Sequence, residues 1–90
     1  CDMAYIYDVL VQPHLYTGPL CAAASLQLEC VIPNFYIHEY AFELSKSYAD
    51  YICKFNPKPV AGRLSITDTP GIGNEWTESF INSCTREIIE

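Results

Sequence analysis

Two ionisable residues, His14 and Glu39, each follow a short apolar segment of the chain. Histidine is the side chain best suited to take or give a proton near neutral pH, which makes His14 a candidate general base or acid. The carboxyl group of Glu39 suits a general acid, a metal ligand, or a hydrogen-bond donor with a raised pKa. The structural alternatives are a hydrogen-bonded loop histidine and a solvated carboxylate. We therefore predict that His14 and Glu39 form a proton-transfer site, with these alternatives open.

Other groups that could carry chemistry are less suited to it. Neighbouring residues of a strand point to opposite faces, so His38 should point away from Glu39 and serve a structural role. A metal site built from His14, His38 and Glu39 matches no recognised ligand spacing. The segment Pro70–Trp76 lacks the third glycine of a dinucleotide fingerprint and the lysine of a P-loop, so it predicts a tight turn.

The elements around His14 and Glu39 predict how the two residues meet. Val9–Val11 is an apolar run closed by Pro13, and Phe35–Ile37 is a second short run of aromatic and β-branched residues. Between them, Thr17-Gly18-Pro19 predicts a helix start, and the helix should run from Leu20 to Glu29. Strand, helix and strand predict parallel pairing, so His14 and Glu39 should emerge at the same end of the sheet.

The remaining elements add little cover for such a pair of strands. We predict the end of a helix over Asp2–Tyr7 and a longer helix over Glu43–Lys54. An exposed strand over Gly62–Thr67 and a closing helix over Trp76–Ile89 should follow. Two parallel strands cannot cover their own faces and edges. The chain should therefore belong to a larger α/β domain, or a second polypeptide should complete it. Truncation or cleavage is the expected reason for a start at Cys1 without methionine.

Composition excludes several classes of protein. Hydrophobic residues make up 50% of the 90 residues, too many for a disordered chain, and the net charge of −6 would repel nucleic acid and anionic membranes. No apolar run approaches the length of about 20 residues that spans a bilayer, and no signal peptide is expected. We predict no nucleic-acid partner and no membrane partner.

The cysteines point to a reducing compartment. Their number, five, is odd, and no Cys-x-x-Cys pair is present, which fits neither a disulfide framework nor a zinc site. Cys21, Cys30 and Cys53 have apolar or small neighbours, so we predict buried, reduced thiols in a cytoplasmic protein. A reactive thiol is the alternative, but no local motif favours it.

Several motifs, in this order and spacing, resemble the C-terminal part of the enolase superfamily. The resemblance is closest to the mandelate racemase subgroup, and within it to sugar-acid dehydratases of the galactonate and gluconate type. It covers nearly the whole chain. The motifs are Val11-Gln12-Pro13-His14, Gly18-Pro19, Ala22-Ala23-Ala24, Pro33-Asn34-Phe35 with Glu39, and Pro70-Gly71-Ile72-Gly73.

The resemblance implies a fold and a role for each site residue. These enzymes join a (β/α)-barrel to an α+β capping domain, so residues 1–41 would end the barrel and residues 42–90 would contribute to the cap. Val9–Gln12 would be the seventh strand and Phe35–Glu39 the eighth. His14 would be the base that removes the proton next to the substrate carboxylate. Glu39 would hydrogen-bond that carboxylate and help to hold the enediolate.

The resemblance also implies a cofactor and partners outside these residues. Mg²⁺ would stabilise the enediolate charge, with ligands on earlier strands that are not part of this sequence, so the isolated chain should bind no catalytic metal and show no turnover. The implied partners are an acid-sugar substrate, the remainder of the barrel and further copies in a homo-oligomer. The alternatives are a racemase or epimerase of the same superfamily, a non-catalytic fragment or interaction module, and an unrelated small α/β binding protein.

Overall fold

Four helices form the regular structure of the described residues. The computed structural model describes residues 1–89, and for residues 42–46 the backbone only; residue 90, the end of the predicted cap segment, lies outside it. Over these residues, strand pairing consists of single bridges, parallel between Val11 and Phe35 and antiparallel elsewhere. The helices are α1 (Asp2–Ile6), α2 (Pro19–Glu29), α3 (Phe42–Ile52) and α4 (Glu78–Ser83).

Helix α2 begins and ends where the sequence predicts. Gly18 is the N-cap in extended conformation, and Pro19 occupies the first turn, where a missing N–H leaves no hydrogen bond unmade. The helix ends at Cys30, whose N–H donates to the carbonyl oxygen of Leu26. Ala23 and Leu26 are buried and form its inner face. The prediction of a helix between the two apolar runs is confirmed.

The two predicted strands are shorter than expected. Val11 N–H donates to Asn34 O at 2.8 Å and Tyr36 N–H donates to Val11 O at 3.0 Å, which is the slanted pattern of parallel pairing. Within the described residues the pairing consists of this one bridge, so the two predicted short strands are reduced to a single bridged residue each. The physical reason is that each segment has one neighbour only: Val9 and Leu10 are 52% and 58% exposed.

An antiparallel contact joins the end of α3 to the segment before α4. Thr77 N–H donates to Ile52 O at 2.8 Å. The Asn74 side chain pairs with both backbone groups of Phe55: its Oδ1 accepts from the N–H at 3.1 Å, and its Nδ2 donates to the carbonyl at 2.7 Å. The Asn74 side-chain amide thus pairs with Phe55 as the backbone of a neighbouring strand would. Cys53, 2% exposed, lies at this contact.

Helix α4 is much shorter than the predicted helix over Trp76–Ile89. It begins at the Thr77 cap, whose Oγ1 accepts from Phe80 N–H at 3.2 Å, and it ends at Cys84, which is extended with φ −83° and ψ 142°. Thr85, Ile88 and Ile89 are β-branched and disfavour a helix unless packing compensates. The spacing of apolar residues alone therefore predicts the wrong C-terminal end for this helix.

The predicted exposed strand over Gly62–Thr67 is also absent from the described residues. Ala61 and Gly62 both have positive φ, 50° and 75°, and connect Val60 to Arg63 in a tight two-residue turn. Alternation of apolar and polar residues predicts a strand only where a second strand can pair with it. The single bridge between Val60 and Arg63 closes the turn and extends no further.

Only part of the prediction for cysteine burial is correct. Cys53 is buried, whereas Cys21 and Cys30 are exposed, and the thiols are free. Cys21 precedes buried Ala23 by two helical positions, which places it on the opposite side of α2. Burial raises the pKa of the Cys53 thiol.

The chain exposes more surface than a compact protein of its size. Its accessible surface is 7013 Å², against roughly 5,300 Å² for a folded chain of this length. Its radius of gyration is 15.2 Å, against roughly 12 Å. That further protein covers its faces stays a prediction. Among the described residues, no helix is long and apolar enough to cross a membrane.

Gly73 closes the predicted tight turn, and its replacement by Ala should destabilise the protein. Its φ is +76°, and a Cβ would lie 2.5 Å from Thr67 Cγ2. Left-handed backbone and overpacking together should lower the free energy of unfolding by about 2–5 kcal/mol. Urea unfolding of the intact protein measures this loss. Gly62→Ala is the matched control, because its φ is +75° with open space around it, and it should cost only about 1–2 kcal/mol. Equal losses would show that Thr67 moves aside.

Candidate active site

His14 and Glu39 are in direct contact, as the parallel pairing predicts. Nδ1 of His14 lies 2.8 Å from Oε2 of Glu39. The same carboxylate oxygen accepts the backbone N–H of Leu15 at 3.0 Å. A single oxygen of Glu39 therefore fixes both the imidazole ring of His14 and the backbone that follows it.

Local structure explains why these two residues meet. His14 lies between the bridged residue Val11 and the start of α2, and Glu39 follows the bridged residue Phe35. Parallel segments send both residues to the same end of the pairing. Leu15 is 6% exposed and anchors the His14 backbone in the core. The position of the site thus follows from one bridge and one buried leucine.

The contacts of Glu39 stabilise its ionised form. The Leu15 N–H hydrogen bond has the largest effect and lowers the pKa of Glu39 below its ordinary value; desolvation opposes it, and the hydrogen bond and charge of His14 lower the pKa further. In this chain these contacts favour an ionised Glu39 that accepts hydrogen bonds, and the alternative of a hydrogen-bond donor with a raised pKa stays a prediction for a complete site. Because the pKa of Glu39 is lower in the folded chain than in the unfolded one, ionised Glu39 stabilises the fold. This contribution is present above the ordinary carboxyl pKa and is lost as the pH falls through the lowered pKa.

This arrangement suits His14 to act as a base. When Nδ1 carries a proton and donates it to the Glu39 carboxylate, Nε2 carries a lone pair. The His14 side chain is 80% exposed and the Glu39 side chain 36%, so Nε2 is accessible to an incoming molecule. A carboxylate behind an imidazole fixes the tautomer and stabilises the imidazolium that forms on proton uptake.

His38 contacts a different group from its neighbour Glu39. Its Nδ1 is 2.7 Å from Oε2 of Glu29, and the two side chains are 9% and 3% exposed. This position agrees with the predicted structural role of His38. The partner, Glu29, was not predicted. The one signal in the sequence is Ser25, four residues earlier on the same helical face, whose hydroxyl donates to Oε1 of Glu29 at 2.9 Å.

A metal site requires several ligating side chains around one ion. Within residues 1–89, apart from the side chains of 42–46, no group of three His, Cys, Asp or Glu side chains is placed to hold a metal ion. The ionised Glu39 already accepts two hydrogen bonds through one oxygen.

Comparison with known proteins gives the family. A family model described as enolase C-terminal domain-like matches residues 1–80. A D-mannonate dehydratase of Xanthomonas oryzae pv. oryzicola (strain BLS256) is 32% identical over 81 residues, which is 88% of this chain and 19% of that protein.

Solved structures agree in fold. A member of the enolase superfamily from Salmonella Typhimurium has a TM-score of 0.82 at 40% identity, over 92% of this chain and 21% of that one. A provisionally named dehydratase from Zymomonas mobilis ZM4 has a TM-score of 0.81 at 40% identity, over 90% of this chain and 21% of that one. The chain thus spans about a fifth of the length of these relatives. It belongs to the enolase C-terminal domain-like family of the enolase superfamily.

Proposed function

We propose that this chain is the C-terminal portion of a magnesium-dependent acid-sugar dehydratase and has no activity in isolation. The reaction would remove the proton next to a carboxylate and then expel the β-hydroxyl group. One observation carries the proposal: the 2.8 Å contact between His14 Nδ1 and the ionised Glu39, in a chain whose relatives include a D-mannonate dehydratase.

Each residue of the pair has a distinct role in this proposal. His14 takes the α-proton at Nε2, because Nδ1 is held by Glu39. Glu39 orients the imidazole and stabilises its protonated form. To help hold the enediolate as well, the Glu39 carboxyl would have to carry a proton in the complete site, because an ionised carboxylate only accepts hydrogen bonds. A site that withdraws a proton from carbon needs a base in a fixed orientation, and general-base catalysis of this kind contributes roughly 10²–10⁴-fold in rate.

The rest of the proposal concerns protein outside these residues. Val9–Gln12 and Phe35–Glu39 would be the last two strands of the barrel, and residues 42–90 would reach the cap. Mg²⁺, held by ligands on other strands, would supply charge stabilisation. The large accessible surface supports a remainder of the barrel packed on this chain, and we include a homo-oligomer. The free thiols support a cytoplasmic location.

An assay with the intact protein that contains this chain tests the function. Acid sugars are incubated with Mg²⁺ in D₂O, and the products are followed by NMR and mass spectrometry. Dehydration should give a 2-keto-3-deoxy acid, lighter than the substrate by one water. Deuterium at the α-carbon without loss of water would instead show a racemase or epimerase. Neither exchange nor product across the acid sugars would overturn the proposal in favour of a non-catalytic module.

A further inference from the structure

The segment that carries Glu39 is held by side chains. Tyr36 N–H donates to Val11 O at 3.0 Å, and this bond is the last rung of the parallel pairing. Beyond it, Glu39 has an anchored neighbour on each side. His38 contacts Glu29 at 2.7 Å, and the hydroxyl of Tyr40 donates to Pro57 O at 2.7 Å. The position of Glu39 therefore depends on what its neighbours bind.

The contact between His38 and Glu29 is the more deeply buried of these two anchors. Ser25 donates to Oε1 of Glu29 and fixes the carboxylate, while Oε2 faces Nδ1 of His38. Nε2 of His38 is buried and has no hydrogen-bond partner among the described residues. The link to Glu29 is thus the polar contact that holds the imidazole, and its loss would leave a buried carboxylate short of a partner.

Helix α2 connects this contact to His14. Its first residue, Pro19, follows the His14 segment closely, and its last residue is Glu29. Eleven helical residues span roughly 16 Å as a stiff rod. The His38–Glu29 contact therefore ties the residue before Glu39 to the far end of the helix whose near end follows His14.

We propose that His38, through its contact with Glu29, is a positioning residue that holds Glu39 against His14 and Leu15. His38 and Glu39 are consecutive residues with separate partners, so a displacement of the segment that releases Nδ1 of His38 from Glu29 also moves Oε2 of Glu39. The proposal deepens the proposed function and rests on it in one respect: Glu39 belongs to the reacting site.

The test compares His38→Leu with His38→Asn in the intact protein. Leu has a similar bulk but cannot make the polar contact. The Asn amide instead places a hydrogen-bond donor near the position of Nδ1. The readout is the titration of the Glu39 carboxyl carbon by ¹³C NMR without substrate, assigned with Glu39→Gln. His38→Leu should raise the pKa of Glu39 towards its ordinary value, because the Leu15 hydrogen bond is weakened, and His38→Asn should restore it. In the turnover assay, kcat/KM of His38→Leu should fall by up to about 100-fold.

Glu75→Gln is the matched control. It breaks an ion pair of the same length, 2.7 Å to Lys54, between side chains that are 65% and 53% exposed. It should leave the titration of Glu39 unchanged. A folded His38→Leu protein with an unchanged Glu39 titration would overturn the proposal.

If His38→Leu does not fold, Glu29→Gln decides, because it removes the carboxylate charge that faces Nδ1 of His38 while His38 and Ser25 remain. An upward shift in the pKa of Glu39 would support the proposal, and no shift would overturn it. The titration needs no substrate, so its outcome is independent of whether the protein is a dehydratase. Failure of the proposed function would appear only in the assay with acid sugars.

Discussion

Replacing His14 by Asn in the intact protein should abolish exchange of the substrate α-proton with solvent. The Asn amide can still reach Glu39 from the position of Nδ1, but it has no basic nitrogen in place of Nε2. The expected loss in kcat/KM is about 10²–10⁴-fold. Exchange in D₂O, followed by the disappearance of the α-proton signal in NMR, measures the proton-abstraction step separately from loss of water.

The control for this substitution is the free energy of unfolding of the variant. The His14 side chain is 80% exposed, and exposed pairs contribute little to the free energy of unfolding. The urea midpoint of His14→Asn should therefore match that of the unmodified protein. Exchange that persists within a factor of ten, in a protein with an unchanged midpoint, would mean that a residue other than His14 is the base.

Replacing Glu39 should have the second largest effect on activity. Its Oε2 accepts from Leu15 and contacts His14 at once, so a Gln side chain keeps at most part of this geometry and none of the charge. We expect kcat/KM to fall by about 10²–10³-fold in Glu39→Gln, as when a preorganised electrostatic group is lost. Steady-state kinetics across acid sugars measures the effect.

Glu39→Ala separates the charge of Glu39 from its hydrogen bonds. It removes both, so its loss should be at least that of Glu39→Gln. A smaller loss for Ala would mean that the Gln amide obstructs the site. A change of less than threefold in both variants would show that Glu39 is dispensable and that His14 is oriented by a group outside this chain.

The sequence was sufficient to locate the pair but not its electrostatics. The meeting of His14 and Glu39 follows from chain direction alone, because two short parallel segments joined by a helix end on the same side. The lowered pKa of Glu39 depends on the Leu15 N–H, a backbone group that no residue pattern marks. The catalytic roles of both residues remain predictions until the substitutions are made.

The same contrast holds for the fold. Helix α2 was predictable because Gly18 and Pro19 fix its start locally. The closing helix and the exposed strand were not, because apolar spacing and alternation show what an element could bury and not whether a partner is present. Cys84 and the turn at Ala61 illustrate this. At Cys84 the backbone leaves the predicted helix, and at Ala61 it turns next to the predicted strand.

The close fit of Gly73 has a consequence for genetics. Its backbone lies against Thr67 and near Gln27 of α2: a Cβ at Gly73 would be 3.3 Å from Gln27 Nε2. A domain is stable by only about 5–15 kcal/mol, so a loss of a few kcal/mol lowers the amount of protein in a cell several-fold. Substitutions at this turn would therefore resemble loss of catalysis in a growth screen while each folded molecule keeps its chemistry. Phenotypes that map to the turn should be normalised to protein abundance before they are assigned to the active site.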